Sequence, residues 1–320
     1  MEQSTLNKLP GELLEFVLDH ADGPSLAGLS RTCRDLNHLT TLRLYRSACI
    51  QRGKSNEFMR TIDCKYADLV RDVFVDASGV WDEVSPCRIA PSLEKLPNLR
   101  SLALEGTFWH GNATSEEEEM WQTHQDRLWG VLENASLEHS PGSRILQSLR
   151  SLTIDLVEGN GQTWFLDSNI VFLIQPLHEL TIRGIMFEEE DGEIEPEFHR
   201  QTDLKTLRIE RSHINFLGLR NVLLAPRGLT HLVLEHDSCK SHHELGNATI
   251  TKATVDEFVD ALSIHRESLQ EIHFSERNEE NQTINDDSFA PYATRFPVLR
   301  HWVGCDVFSL RYYLNDFENN

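Results

Sequence analysis

The chain has 320 residues, 39% of them hydrophobic, enough for a sizeable core and, at roughly 100 to 200 residues per domain, room for two domains. Its net charge of −21, from 30 basic and 51 acidic residues, makes nucleic-acid backbones and anionic membranes repelled partners. No window approaches the roughly 18 consecutive apolar residues of a bilayer crossing, and Met1 to Thr5 lack the basic stretch and apolar core of a signal peptide.

The charge is uneven: residues 1–60 hold 8 basic and 7 acidic residues, and the other 260 hold 22 and 44, which places a boundary near residues 50–65. In the first part, Pro10 suits the opening turn of a helix, and Leu13, Leu14, Val17 and Leu18 form one apolar face. The loop Asp22-Gly23-Pro24 precedes a second helix starting near Ser25, with Leu26, Leu29, Cys33 and Leu36 in register, and Leu42 to Arg46 closes the unit. Three short helices in about 40 residues bury too little surface to stand alone.

The string Leu9-Pro10-x-Glu12-Leu13-Leu14-x-x-Val17-Leu18, then Leu26-x-x-Leu29-x-x-x-Cys33-Arg34-x-Leu36, then Leu44-Tyr45-Arg46-Ser47, resembles an F-box. It departs at Ala21, where a larger aliphatic residue is usual, and at Thr32, where Val is usual. The resemblance implies docking onto a Skp-type adaptor, and through it onto cullin and RING subunits of a ubiquitin ligase. Its implied adaptor-facing residues are Leu9, Pro10, Leu13, Val17, Leu18, Leu26, Leu29 and Cys33. The alternative is that they only seal the first repeat.

Beyond the boundary one phrase recurs: Leu99-x-x-Leu102-x-Leu104, Leu149-x-x-Leu152-x-Ile154, Leu177-x-x-Leu180-x-Ile182, Leu204-x-x-Leu207-x-Ile209, Leu229-x-x-Leu232-x-Leu234 and Leu269-x-x-Ile272-x-Phe274. Val70-x-x-Val73-x-Val75 and Leu299-x-x-Trp302-x-Gly304 are weaker copies. Second anchors at 73, 102, 152, 180, 207, 232, 272 and 302 are spaced by 29, 50, 28, 27, 25, 40 and 30 residues. An acidic helix around Ser115 to Glu133, with a Ser115-x-x-Glu118 capping box, and a polar insertion from Glu235 to Thr254 account for the long gaps. Helical spacing predicts helices at Phe216 to Leu224 and from Val255 through Phe258, Val259 and Leu262, capped by Thr254.

Repeated strand-plus-helix units bury their apolar stripes only by stacking. Residues 66–310 resemble leucine-rich repeats, and the ninth repeat position departs from the usual Asn or Cys: only Ser78, Thr107, Ser212 and Asp237 are small and polar. The expected fold is therefore α/β: F-box-like helices at 1–55, then an irregular leucine-rich-repeat solenoid at 56–320 with acidic insertions near 110–140 and 235–254.

Alternation points repeat positions three, five and seven to the concave side. The seventh-position column reads Asp76, Glu105, Asp155, Arg183, Glu210, Glu235, Ser275 and Cys305, so Asp76, Glu105, Asp155, Glu210 and Glu235 are candidate contacts for a basic segment of a protein substrate. Arg183 and Arg208 could instead pair with Glu210. The acidic runs Glu116–Glu119, Glu188–Glu197 and Glu276–Asp287 read as solvated loops on one rim.

His236-x-x-Cys239-x-x-His242-His243 has metal-ligand density without a second ligand pair, and Gly159-x-Gly161 has Trp164 where a dinucleotide turn needs its third glycine. No hydrolase, zinc-protease or phosphate-loop motif is present, so no metal, cofactor or catalytic residue is expected. Six cysteines without a C-x-x-C pair read as thiols in a reducing compartment, cytoplasmic and/or nuclear; the sequons at Asn112, Asn134, Asn247 and Asn281 then read as chance matches. The expected function is a non-catalytic substrate receptor of a ubiquitin ligase. The rivals are a protein-binding scaffold whose first helices merely cap the solenoid and, remotely, a metal-dependent enzyme built on His236 to His243.

Overall fold

The computed structural model describes residues 9–50, 60–61, 65–76, 90–108, 127, 129–137, 145–158, 164–165, 169–187, 194–214, 216–237, 255–277 and 294–304. It opens with helices α1 (Gly11–Asp19), α2 (Gly23–Ser30) and α3 (Arg34–Leu44). Pro10 caps α1 from just outside its first turn, and its carbonyl accepts from Leu14 N–H at 3.0 Å. Asp22 caps α2 by accepting from Ser25 N–H at 2.9 Å.

The second helix is shorter than its apolar spacing predicts. Cys33 is extended (φ −153°, ψ 167°), so Leu26 and Leu36 stand on separate helices. The Ser30 and Thr32 hydroxyls donate back to the Ala27 and Leu29 carbonyls, each at 2.8 Å, and so end α2 locally.

Among the described residues eleven strands follow: β1 (Ser47–Ile50), β2 (Asp72–Asp76), β3 (Ser101–Phe108), β4 (Ser151–Glu158), β5 (Trp164–Phe165) and β6 (Glu179–Arg183). The rest are β7 (Ile185–Phe187), β8 (Thr206–Ile214), β9 (His231–Asp237), β10 (Glu271–Arg277) and β11 (His301–Gly304). The main sheet runs β1-β2-β3-β4-β6-β8-β9-β10-β11, with β5 pairing β7 and β7 pairing β8 beside it. All these pairings are parallel.

The repeated phrases align without offset. Val73, Leu102, Leu152, Leu180, Leu207, Leu232, Ile272 and Trp302 are successive cross-strand partners. Ala48 pairs with Val73, so the sheet begins inside residues 1–55, and α3 leads into it with only Tyr45 and Arg46 between.

From β2 to β10 the main-sheet strands bury the leucine-type positions and turn positions three, five and seven outward at partial or full exposure, as the alternation requires; in β1 Ala48 is half-buried and Ile50 buried. Crossovers on the other side include the helices Phe216–Leu224 and Val255–Leu262, as predicted, and 3-10 turns at Asn169–Leu173, Pro196–Phe198 and Ser263–His265. One continuous apolar core runs from Ile50 to Phe296; Leu18, Leu26 and Leu36 are buried apart from it. The fold is α/β with a solenoid of the leucine-rich-repeat kind, and no helix among the described residues is long and apolar enough to cross a membrane.

Backbone bonds also tie successive repeats together at the starts of their strands. In successive repeats a single carbonyl accepts two N–H groups from the next: Arg46 from Arg71 and Asp72, Arg71 from Arg100 and Ser101, Arg100 from Arg150 and Ser151, and on to Gln270 from Arg300 and His301. At the ninth position, Ser212 serves the loop as expected, accepting from Ile185 N–H at 3.2 Å and donating to the Glu210 carbonyl at 2.8 Å. The run Cys239 to His243, Gly159 to Gly161, Thr254, the capping box at Ser115 and most of the acidic runs lie outside the described residues.

Candidate functional site

On α1 the apolar residues divide into two faces. Leu18 is buried and Leu14 half-buried, whereas Leu9, Leu13, Phe16 and Val17 keep 37, 52, 62 and 41% of their surface exposed. At 100° per residue the three on the helix, Leu13, Phe16 and Val17, form an outward stripe about 100° wide, with Leu9 just before the first turn, and His20 prolongs the stripe with its ring 4.3 Å from that of Phe16. Pro10 is exposed beside the stripe, Leu29 and Cys33 are half-buried, and Leu26 is buried. Leu18 and Leu26 therefore hold the helices together rather than standing open.

Arg43 fixes the stripe's orientation, since its Nε donates to Asp19 on α1 at 2.6 Å and it reaches the Glu15 carbonyl at 3.5 Å. Phe16, the most exposed large apolar side chain among the described residues, escaped the sequence reading because a motif comparison weights the repeated leucines. The i+3 step from Leu13 would have found it.

The second surface is the sheet face opposite the core, where repeat positions three, five and seven stand. Asp76, Glu105, Asp155, Glu210 and Glu235 all lie there, each half-buried, with Asp76 beside Glu105, Glu105 beside Asp155, and Arg183 between Asp155 and Glu210. The column is not uniformly negative. Arg183 donates through Nε to Glu210 at 2.7 Å and through a terminal nitrogen to Asp155 at 3.3 Å, and Arg208 stands 3.6 Å from Glu210. The bond to Glu210 is the main cause holding the Arg183 pKa above its ordinary value; Asp155 adds to it, and burial opposes it.

Arg211 joins this cluster by an irregular route. Between the pairs Ile209–Leu234 and Ser212–His236, β8 has two residues where β9 has one, a bulge that re-aims a side chain. Arg211 sits there at φ 51° and places its guanidinium 3.1 Å from both Asp155 oxygens. Nothing in the sequence marks a left-handed arginine.

Asp155 thus serves two arginines. Asp155→Asn is expected to lower stability by about 1 kcal/mol at low salt and by less in concentrated salt, because every partner is partly exposed. Urea midpoints at the two ionic strengths check this, and a cost that grows with salt contradicts it.

Among the described residues no group of three or more His, Cys, Asp or Glu side chains is arranged to hold a metal ion. No protein-family model matches the chain, and no curated protein matches it.

Proposed function

We propose that the chain is the substrate-recognition subunit of a Skp-cullin-F-box type ubiquitin ligase, working in the cytoplasm or nucleus. The α1 stripe docks on a Skp-type adaptor, and the concave face holds a protein substrate. The chain itself performs no catalysis; ubiquitin transfer belongs to the cullin-bound partners.

The exposed stripe Leu13, Phe16 and Val17, with Leu9 just before the helix, carries this reading. A helix that leaves three apolar side chains in water along one side has the i, i+3, i+4 anchors of helix-in-groove recognition. Buried in a groove, each would contribute about 1.5–3 kcal/mol. The F-box-like string supplies the identity of the partner.

A scaffold unconnected to ubiquitin is the second reading, favoured by the close join of α3 to β1, which lets the helices serve as a cap. Co-purification separates the two. Wild type is expected to retain a Skp-type adaptor, Leu13→Asp with Phe16→Asp to lose it, and Leu217→Asp, exposed on a solenoid helix, to keep it. Wild type that captures no adaptor leaves the scaffold reading.

A further inference from the structure

The carbonyls that accept paired N–H groups from the next repeat belong to a run of basic residues: Arg46, Arg71, Arg100 and Arg150, one at the N-terminal end of each of four neighbouring strands. Backbone bonds of 2.6–2.8 Å link each to the next, so successive residues are spaced by about 4.8 Å, the distance between adjacent strands. Arg46, Arg100 and Arg150 are exposed and Arg71 is half-buried.

Two of the four have structural work. Arg71 donates to the Asn98 carbonyl at 3.3 Å and Arg150 to the Pro176 carbonyl at 2.8 Å, each tying its repeat to the next. Arg100 has no side-chain hydrogen bond among the described residues, and Arg46 meets only Asp72, at 3.9 Å. At the first positions of these strands and of β6 the acidic residues are Asp72 and Glu179, which stands beside Ser151 in register, against the four arginines.

From this row we infer that the N-terminal rim of the sheet is a docking edge for an acidic, extended segment of a partner protein. Four guanidinium groups over about 14 Å match a run of about five residues at 3.3 Å each, with carboxylates reaching successive arginines. The chain's overall −21 does not forbid this. The seventh-position acidic column lies about 16 Å along the strands, twice the roughly 8 Å screening length of physiological salt, so the rim acts at short range as a positive surface. The sheet is polarised along its strands, and the basic rim starts at Arg46, where α3 ends. It could therefore meet the same partner as the helices or another one, and it does not depend on the ligase reading.

The test uses the full chain and a fluorescein-labelled octaglutamate peptide, followed by anisotropy at low ionic strength. Wild type is expected to bind it, and Arg46→Ala with Arg100→Ala to weaken binding about tenfold with a shallower salt dependence. The melting temperature should stay nearly unchanged, since Arg100 has no side-chain bond among the described residues and the Arg46–Asp72 pair is long and exposed. No binding by wild type, equal binding by the double variant, or equally tight binding of an RNA oligonucleotide of matching length each overturn the inference. Adaptor capture by the same proteins is scored separately, so a failure there leaves the peptide result standing.

Discussion

Replacing Leu207 with alanine is expected to cost about 3–5 kcal/mol, a large share of the stability of a domain. Leu207 is fully buried in β8, with Leu180 and Leu232 as its cross-strand partners on either side. Deleting its outer carbons leaves a void that neighbours cannot fill, because the parallel ladders fix their backbones in register. In a stack whose stability is summed from repeats and their interfaces, a defect in a central strand weakens contacts in both directions. The urea midpoint should fall sharply, while Leu217→Ala, at a site 40% exposed, should change stability by about 0.5 kcal/mol or less and leave the midpoint nearly in place. A Leu207→Ala cost below about 1 kcal/mol would contradict a continuous core.

The second large effect comes from acid. His265 is 1% exposed, and its ring joins segments of adjacent repeats: Nδ1 accepts from Leu229 N–H at 3.3 Å, and Nε2 is 2.8 Å from the Leu223 carbonyl, to which it donates. Only the neutral ring satisfies both, because a protonated Nδ1 would oppose an N–H. Burial is the main reason its pKa falls to about 4 from 6.5; the bond to Leu223 resists the fall, and the charges of Arg200 and Lys205 add to it.

As pH drops below 6.5 the unfolded chain takes up this proton while the folded chain does not, until about pH 4. Stability attributable to His265 is therefore complete above pH 6.5 and lost progressively down to pH 4, by about 3 kcal/mol. Gln can both donate and accept, so His265→Gln should flatten this part of the stability–pH curve relative to wild type. Equal slopes for the two proteins would refute the neutral clamp.

The repeats were legible because the main-sheet strands from β2 to β10 bury the same three positions, and the same spacing carries the register on into β11. β1 escaped because Tyr45, Ala48 and Ile50 occupy those positions with one aromatic, one small and one branched residue. The break between α2 and α3 depends on hydroxyl-to-carbonyl bonds that leucine spacing does not encode. The acidic column was half legible. Its carboxylates stand where alternation puts them, and pairing of Arg183 and Arg208 with Glu210 was one of two expectations. The bulge that brings in Arg211 requires the partner strand to be known. His265 is likewise visible only in three dimensions, since its two partners lie 36 and 42 residues away.

The most direct measurement is calorimetric titration of a purified Skp-type adaptor into the full chain, alongside hydrogen exchange of the complex. The account predicts saturable one-to-one binding with a negative heat-capacity change, protection concentrated in Gly11–Asp19, and loss of both signals in Leu13→Asp with Phe16→Asp. No heat with a folded chain, or binding that leaves α1 unprotected and survives the double change, would contradict it.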